Sequence, residues 1–270
     1  MRSLFDDTLL ATTVEDLAFI GSRRVESAFD CAHSQDTLNA FDPATEGNSM
    51  RSFTRSAWFP YVAPFATFLA LTFAGSQWPA AAHVWYAAKT LIVAAMLIAW
   101  RRSYPELRWS RSIANWAIGF AAGLLVLVVW VAPEKLLEPS MLGEPGGFDP
   151  HAFGASGAGL WAIAGVRLLG ASLVVPVMEE LFWRSFLMRV LIRSDFRQVA
   201  LGTFRLSSFA LVAILFGLEH FRWVVGIFAG LVYGGLLIWR RDLFTCVLAH
   251  AVTNLGLGIY VLATGQWSFW

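Results

Sequence analysis

The feature of this chain that most constrains its fold is a series of long apolar stretches that contain almost no charge. Several run for roughly 18 to 22 residues, and about 20 apolar residues suffice for a helix to cross the hydrocarbon core of a bilayer. Helices of soluble proteins rarely reach that length without a polar face. Only 14% of the 270 residues are charged, and the 13 Trp suit a protein whose indole rings lie at the headgroup boundary. The sequence therefore predicts an all-α, polytopic bundle of transmembrane helices.

Seven membrane spans are predicted from the apolar runs and the charged residues, Pro and Gly between them. They are Trp58–Gly75, His83–Trp100, Ile113–Ala132, Gly157–Ile192, Phe204–His220, Trp223–Trp239 and Leu243–Ala263. The fourth is too long for one simple span and contains Pro176. It is either one long helix kinked at this proline or a short helix joined to a spanning one. The second alternative raises the number of spans to eight.

Arginines concentrate in alternate loops, which predicts the orientation of the bundle. The clusters consist of Arg101, Arg102, Arg108 and Arg111, then Arg189, Arg193, Arg197 and Arg205, then Arg240 and Arg241. All three belong on the cytoplasmic side, so the N-terminus is predicted inside the cell and the protein in the cytoplasmic (inner) membrane. Residues 1–57 contain no span and are predicted to form a polar, poorly ordered cytoplasmic leader. Residues 58–270 form the predicted transmembrane domain.

Charge and cysteine content exclude other classes of function. The formal net charge is +1, and no run of Lys or Arg is dense enough to predict a nucleic-acid partner. The two cysteines, Cys31 and Cys246, provide neither a disulfide framework nor the spacing of metal ligands.

Because loops account for most charges, the informative polar residues are those inside the spans. An ionisable residue at bilayer depth costs roughly 2.5–3.5 kcal/mol on translocon scales. The first such group is Glu179-Glu180-x-x-x-Arg184. Glu180 and Arg184 share a helix face and can pair, which leaves Glu179 free to exchange a proton as a general base. The alternative interpretation is a helix end near the headgroups where all three side chains are solvated.

Two further groups lie on later spans. His220 closes an apolar run, where a lone histidine is often an interfacial residue, and Glu219 beside it faces either the loop or the histidine. His250 and Asn254 are four residues apart on one face of the final span. They are candidates for a catalytic site or for hydrogen bonds that hold helices together.

The three groups in order resemble the motifs of the CAAX prenyl protease and bacteriocin-processing (CPBP) family, over about residues 157–263. The matching residues are Glu179-Glu180-x-x-x-Arg184, Phe216-x-x-x-His220 and His250-x-x-x-Asn254, together with Ala229-Gly230-Leu231-Val232-Tyr233-Gly234. The resemblance implies an intramembrane endopeptidase that hydrolyses a peptide bond with glutamate-activated water. It implies that Glu179 activates the water with help from His220, that His250 and Asn254 stabilise the oxyanion, and that Glu180 and Arg184 support the site.

Two other functions remain open from the residues. Two Glu and two His could bind Zn²⁺ in a metal-dependent protease, although no His-Glu-x-x-His motif is present and Arg184 would lie close to the cation. The polar cluster could also serve a non-enzymatic scaffold or immunity protein, or a proton-coupled transporter. We expect a site without metal or other cofactor, and a membrane-associated peptide or protein as substrate within the lipid bilayer.

Overall fold

The computed structural model describes residues 56–132 and 147–270, and this part of the chain is helical without strands. The predicted leader lies outside the described residues except for its last two. The seven main helices are α1 (Phe59–Ser76), α2 (Ala82–Ala99), α3 (Ile113–Val131), α4 (Gly157–Val190), α5 (Leu206–Leu218), α6 (Trp223–Arg240) and α7 (Leu243–Thr264). Short 3₁₀ turns lie at Pro79–Ala81, Arg101–Ser103, Pro150–Phe153, Phe196–Gln198 and Trp267–Phe269.

Six of these helices are long and apolar enough to cross a membrane, so the chain is an integral membrane protein. The exception is α5, whose 13 residues rise about 20 Å and fall short of the roughly 30 Å hydrocarbon core. It ends at Leu218, so His220 lies beyond the helix rather than inside a span. The predicted count of seven to eight spans is therefore not confirmed.

The long fourth region is one helical segment of 34 residues rather than two spans. Its hydrogen bonding changes to the wider π pattern at Gly170–Val174 and again at Glu180–Leu187. The first π segment ends two residues before Pro176, which lacks an N–H and crowds the carbonyl one turn earlier. The second begins at Glu180. Such π segments are frequent at functional sites, and here one carries the paired glutamate and arginine.

Close contacts between glycines and backbone bring the site helices together. A Cβ atom on Gly123 of α3 would lie 2.5 Å from the Ala249 carbonyl oxygen of α7. One on Gly226 of α6 would lie 2.9 Å from Cα of Gly217 in α5. Only glycine allows these approaches, which place α7 against α3 and α5 against α6.

Aromatic and polar contacts fix α4 at its C-terminal half. The rings of Phe65 in α1 and Phe182 in α4 stack with centroids 4.0 Å apart. Arg189 Nη2 lies 2.9 Å from Glu106 Oε1, and the Tyr61 hydroxyl donates to Glu106 Oε2 at 3.2 Å. Ser185 also bonds to Glu106. This network holds the residues that follow the first motif.

The arginine-rich ends of the helices meet at one end of the bundle. Glu106, in the segment after α2, pairs with Arg189 of α4, as described above. Asn115 at the start of α3 accepts from Arg240 Nε at 2.7 Å and donates to Asp242 Oδ2 at 2.6 Å. The clusters that predicted the orientation therefore share a face of the protein.

Candidate active site

The first motif is buried in the bundle. Glu180 and Arg184 have no exposed surface, and Glu179 is 4% exposed. Arg184 Nη1 donates to Glu180 Oε1 at 3.1 Å, which is the pair that their spacing predicted. The alternative of three solvated side chains at a helix end is therefore wrong, because α4 continues to Val190 and α7 covers the motif.

His250 joins the third motif to the first. Its Nδ1 lies 2.9 Å from Glu180 Oε1, and its Nε2 lies 3.9 Å from Glu179 Oε2. A carboxylate can only accept, so Nδ1 carries the proton in this contact. The other ring nitrogen then faces Glu179. The two glutamates consequently differ in their partners: Glu180 Oε1 has both Arg184 and His250, whereas no hydrogen bond to Glu179 is formed within the described residues. The second oxygen of each, Oε2, is buried without a hydrogen-bond partner.

His220 is held just past the end of α5. Its Nδ1 lies 2.7 Å from the Phe216 carbonyl oxygen, which can only accept, so Nδ1 is protonated and Nε2 keeps its lone pair. Burial lowers the pKa of His220 to about 4, and the charges of His250 and Arg184 act in the same direction. The contact with Phe216 opposes the shift without reversing it. His220 is therefore a neutral imidazole near pH 7.

The Phe216 ring of the second motif contacts one residue from each of the three motifs. Its centroid is 4.8 Å from that of His220 and 5.9 Å from that of His250. The Arg184 guanidinium lies over the same ring, with Cζ 4.0 Å from the centroid. A cation over an aromatic face is stabilised by the ring quadrupole. The two histidines thus approach one aromatic ring, His220 from the segment after α5 and His250 from α7.

Asn254 is placed differently from His250, although both are on α7. Its Nδ2 donates to the Ala171 carbonyl oxygen of α4 at 2.8 Å. That bond is the interhelical contact which the sequence allowed as an alternative role. Ala171 belongs to the π segment before Pro176. An amide group has two N–H donors, so one of them is left for another acceptor.

Two residues without a predicted role, Tyr233 and Thr253, support His250. The Tyr233 ring stacks on the His250 ring with centroids 5.1 Å apart and planes inclined by 22°. The Tyr233 hydroxyl donates to Thr253 Oγ1 at 2.8 Å, and Thr253 donates to the Gly123 carbonyl oxygen at 2.9 Å. Both residues lie inside spans. Thr253 directly precedes Asn254, and a polar residue next to a motif residue is the sequence signal that could have indicated its role.

Glu219 was predicted to face either the loop or His220, but its side chain interacts with the first motif instead. Its carboxyl group interacts electrostatically with that of Glu179. Burial raises the pKa of Glu219 to about 7, with the neighbouring Trp183 and the charge of Arg184 opposing the shift. The site therefore contains a third carboxyl group that changes charge near neutral pH.

The structure thus brings Glu179, Glu180, Arg184 and His250 into direct contact, with His220 and Asn254 at the edges. Within residues 56–132 and 147–270, no three or more His, Cys, Asp and Glu side chains are arranged to hold a metal ion. The buried cluster combines an unpartnered carboxylate, two imidazoles and an amide. Chemically, such a set can take a proton from water and donate hydrogen bonds to a developing negative charge.

Comparison with known families identifies the segment that contains this cluster. Residues 161–256 match the family model described as type II CAAX prenyl endopeptidase Rce1-like. The matched segment includes every predicted site residue, and it confirms the resemblance to the CPBP family. No curated protein and no solved structure matches the chain.

Proposed function

We propose that this chain, whose residues 161–256 form a type II CAAX prenyl endopeptidase Rce1-like domain, is an intramembrane endopeptidase that uses glutamate-activated water. One observation carries the proposal: Glu179 Oε2 is buried without a hydrogen-bond partner, 3.9 Å from His250 Nε2. A buried acceptor normally has a partner, so an unpartnered one suggests that a ligand or reactant completes it. The substrate is a membrane-associated peptide or protein.

Glu179 is the proposed base because Glu180 is already engaged. Glu180 Oε1 accepts a hydrogen bond from Arg184 and contacts His250 Nδ1, so this oxygen already has two partners. Glu179 takes a proton from water while the hydroxide oxygen attacks the carbonyl carbon of the substrate. The proton then passes to the leaving nitrogen as the C–N bond breaks, which releases an amine and a carboxylic acid.

His220 orients the attacking water in this proposal. Its Nδ1–H is held by the Phe216 carbonyl oxygen, so the Nε2 lone pair can accept a hydrogen bond from water. The lowered pKa, about 4, keeps that lone pair available across the neutral range. Two acceptors, Glu179 and His220, then act on one water molecule.

His250 and Asn254 stabilise the oxyanion of the tetrahedral intermediate. Neutral His250 already uses its Nδ1–H for Glu180, so Nε2 donates to the oxyanion only after it receives the proton that Glu179 has taken from water. Glu180 stabilises this imidazolium until the proton passes to the leaving nitrogen. Asn254 contributes the amide N–H that is not bonded to Ala171. One oxyanion donor is worth roughly 10²–10³ in rate.

The mechanism needs neither a covalent nucleophile nor a metal. Cys246 is buried, and its thiol contacts the Tyr233 and Asp242 carbonyl oxygens rather than a histidine. A thiol or hydroxyl nucleophile requires an adjacent base. Glu180, one of the two glutamates available as metal ligands, already binds the Arg184 cation.

The proposed orientation puts the arginine-rich end of the bundle in the cytoplasm of the cell, in the inner membrane. Contacts between Glu106 and Arg189, and between Asn115 and Arg240, support a single arginine-rich face. The N-terminus then lies inside.

A paired activity assay tests the function. Purified full-length wild type, Glu179→Ala and the surface control Asp195→Asn are incubated in liposomes with a peptide library, with and without chelator. We expect cleavage by wild type and control that survives the chelator and is absent in Glu179→Ala. Loss of cleavage with chelator supports the metal-dependent alternative. Full activity of Glu179→Ala contradicts the assigned base, and absence of cleavage by all three favours a scaffold, immunity or transport function.

A further inference from the structure

A second polar site lies away from the catalytic cluster. An open cavity of about 520 Å³ is lined by α1, α2, the segment 147–153 and Arg167 of α4. This volume is within the range of small-molecule binding pockets. None of Glu179, Glu180, His220, His250 and Asn254 lines it. The cavity is therefore separate from the proposed peptide-bond site.

The first cation on its wall is Lys89 in α2, which is nine-tenths buried. Its Nζ donates to Thr72 Oγ1 at 2.7 Å and lies 4.1 Å from the Phe68 ring centroid. A lysine ammonium has three N–H donors. In the part of the chain that the structure describes, Thr72 is the one hydrogen-bond acceptor that Lys89 reaches.

The second cation is Arg167, whose guanidinium lies among three aromatic rings. Its Cζ is 4.3 Å from the Phe148 centroid, 4.7 Å from Tyr86 and 5.7 Å from Trp270. These rings stabilise the charge but accept no directional hydrogen bonds in the guanidinium plane. Arg167 Nε is buried without a hydrogen-bond partner.

No carboxylate of residues 56–132 and 147–270 forms an ion pair with Lys89 or Arg167. The acidic side chain on the cavity wall, Asp149, instead bonds to His151 Nδ1 at 2.8 Å. Two like charges buried between apolar helices are costly unless an anion compensates them. Their remaining N–H donors therefore call for a ligand with several acceptor oxygens.

We propose that this cavity binds an anionic lipid, with its headgroup phosphate between Lys89 and Arg167. Arginine and lysine are the usual protein partners of phosphate. The helices that form the wall also carry exposed apolar side chains that face the bilayer, such as Phe73 (73% exposed) and Leu91 (70% exposed). A lipid satisfies both features, because its phosphate meets the cations while its chains stay beside apolar helices.

Native mass spectrometry of the purified full-length protein tests this inference. The probes are phosphatidylglycerol, phosphatidylcholine with the same acyl chains, and inorganic phosphate. We expect wild type to retain phosphatidylglycerol at least about tenfold better than phosphatidylcholine. Lys89→Met and Arg167→Met should each weaken that retention roughly 10- to 100-fold, the equivalent of one lost charge-assisted hydrogen bond.

Two further variants separate binding from folding. Arg101→Met removes an exposed cation that follows α2 at the opposite end and should leave lipid retention unchanged. Ala152→Trp keeps both cations but fills the cavity from an exposed turn, so it should lower retention even if a Met variant fails to fold. Retention that is unchanged in Ala152→Trp or in folded Met variants overturns the proposal. Displacement of the lipid by millimolar inorganic phosphate overturns it in favour of a soluble anion.

Discussion

His250 Nδ1 lies 2.9 Å from Oε1 of Glu180, so two motif residues 70 positions apart in the chain form one hydrogen-bonded unit. The contact decides which ring nitrogen faces Glu179 and supplies the negative charge that an imidazolium at this position requires. Glu180 therefore positions His250 and does not itself contact the substrate, while Glu179 remains available to water.

Glu180→Gln tests that coupling. The amide oxygen can still accept from His250, but the carboxylate charge that supports an imidazolium is lost. We expect kcat/KM on a peptide found in the library screen to fall roughly 10- to 100-fold, as for one charge-assisted hydrogen bond. His250→Ala should remove proteolysis and leave membrane insertion intact. Activity of Glu180→Gln equal to that of wild type would show that His250 needs no carboxylate.

Arg184→Met should reduce folded yield rather than activity per folded molecule. Arg184 has no exposed surface, and its removal leaves the Glu180 charge buried without its cation, at a cost of about 3–5 kcal/mol. Monodisperse yield in detergent and melting temperature measure the effect. Adding Glu180→Gln should restore part of the yield, because the buried charge is then gone. The exposed control Arg193→Met should have the yield and melting temperature of wild type. If Arg184→Met also matches wild type in both, the Arg184 charge does not stabilise the fold.

Gly217→Ala should lower activity by displacing His220. A Cβ atom at Gly217 would lie 2.6 Å from the Ile227 backbone nitrogen and 2.7 Å from the Trp223 carbonyl oxygen, so α5 must move away from α6. The matched control is Gly235→Ala in α6, where a Cβ atom meets nothing within 4 Å. Peptide cleavage by the two variants at equal folded amounts is the comparison. Equal rates would mean that His220 is not positioned by this helix contact.

Glu219→Gln should change how stability depends on pH. The folded pKa of about 7 is above the ordinary carboxyl pKa of 4.5, so between these values the folded wild type binds more protons than the unfolded chain. The stability contribution of Glu219 is therefore full below about pH 4.5 and is lost as the pH rises through 7. We expect Glu219→Gln to melt at a higher temperature than wild type at pH 8 and at nearly the same temperature at pH 4.5.

His220 supplies an internal check on that experiment. Its folded pKa of about 4 is below the ordinary 6.5, so its contribution is present above pH 6.5 and is lost as the pH falls towards 4. This opposite trend occurs in wild type and in Glu219→Gln alike, so it cancels in the difference between their melting temperatures. A difference that does not grow from pH 4.5 to pH 8 would contradict the raised pKa of Glu219.

The sequence alone predicted the helical membrane architecture and the segment that matches the family model. A bilayer leaves few structures in which all backbone groups are hydrogen-bonded, so long apolar runs predict helices directly. Ionisable residues inside such runs are costly, so Glu179, Glu180 and His250 stood out without any structure. The four-residue spacing of Glu180 and Arg184 was sufficient to predict their ion pair, because both residues are on one helix.

Tertiary structure decided what depends on distance between helices and on where a helix ends. Hydropathy alone did not show that α5 ends before His220, nor that α4 is one segment with π turns around Pro176. Three interactions join separate parts of the chain. They are the bond of His250 to Glu180, the bond of Asn254 to Ala171, and the electrostatic interaction of Glu219 with Glu179. Local periodicity carries no information on such contacts, because they depend on how the helices pack against one another and on the glycines that permit close approach.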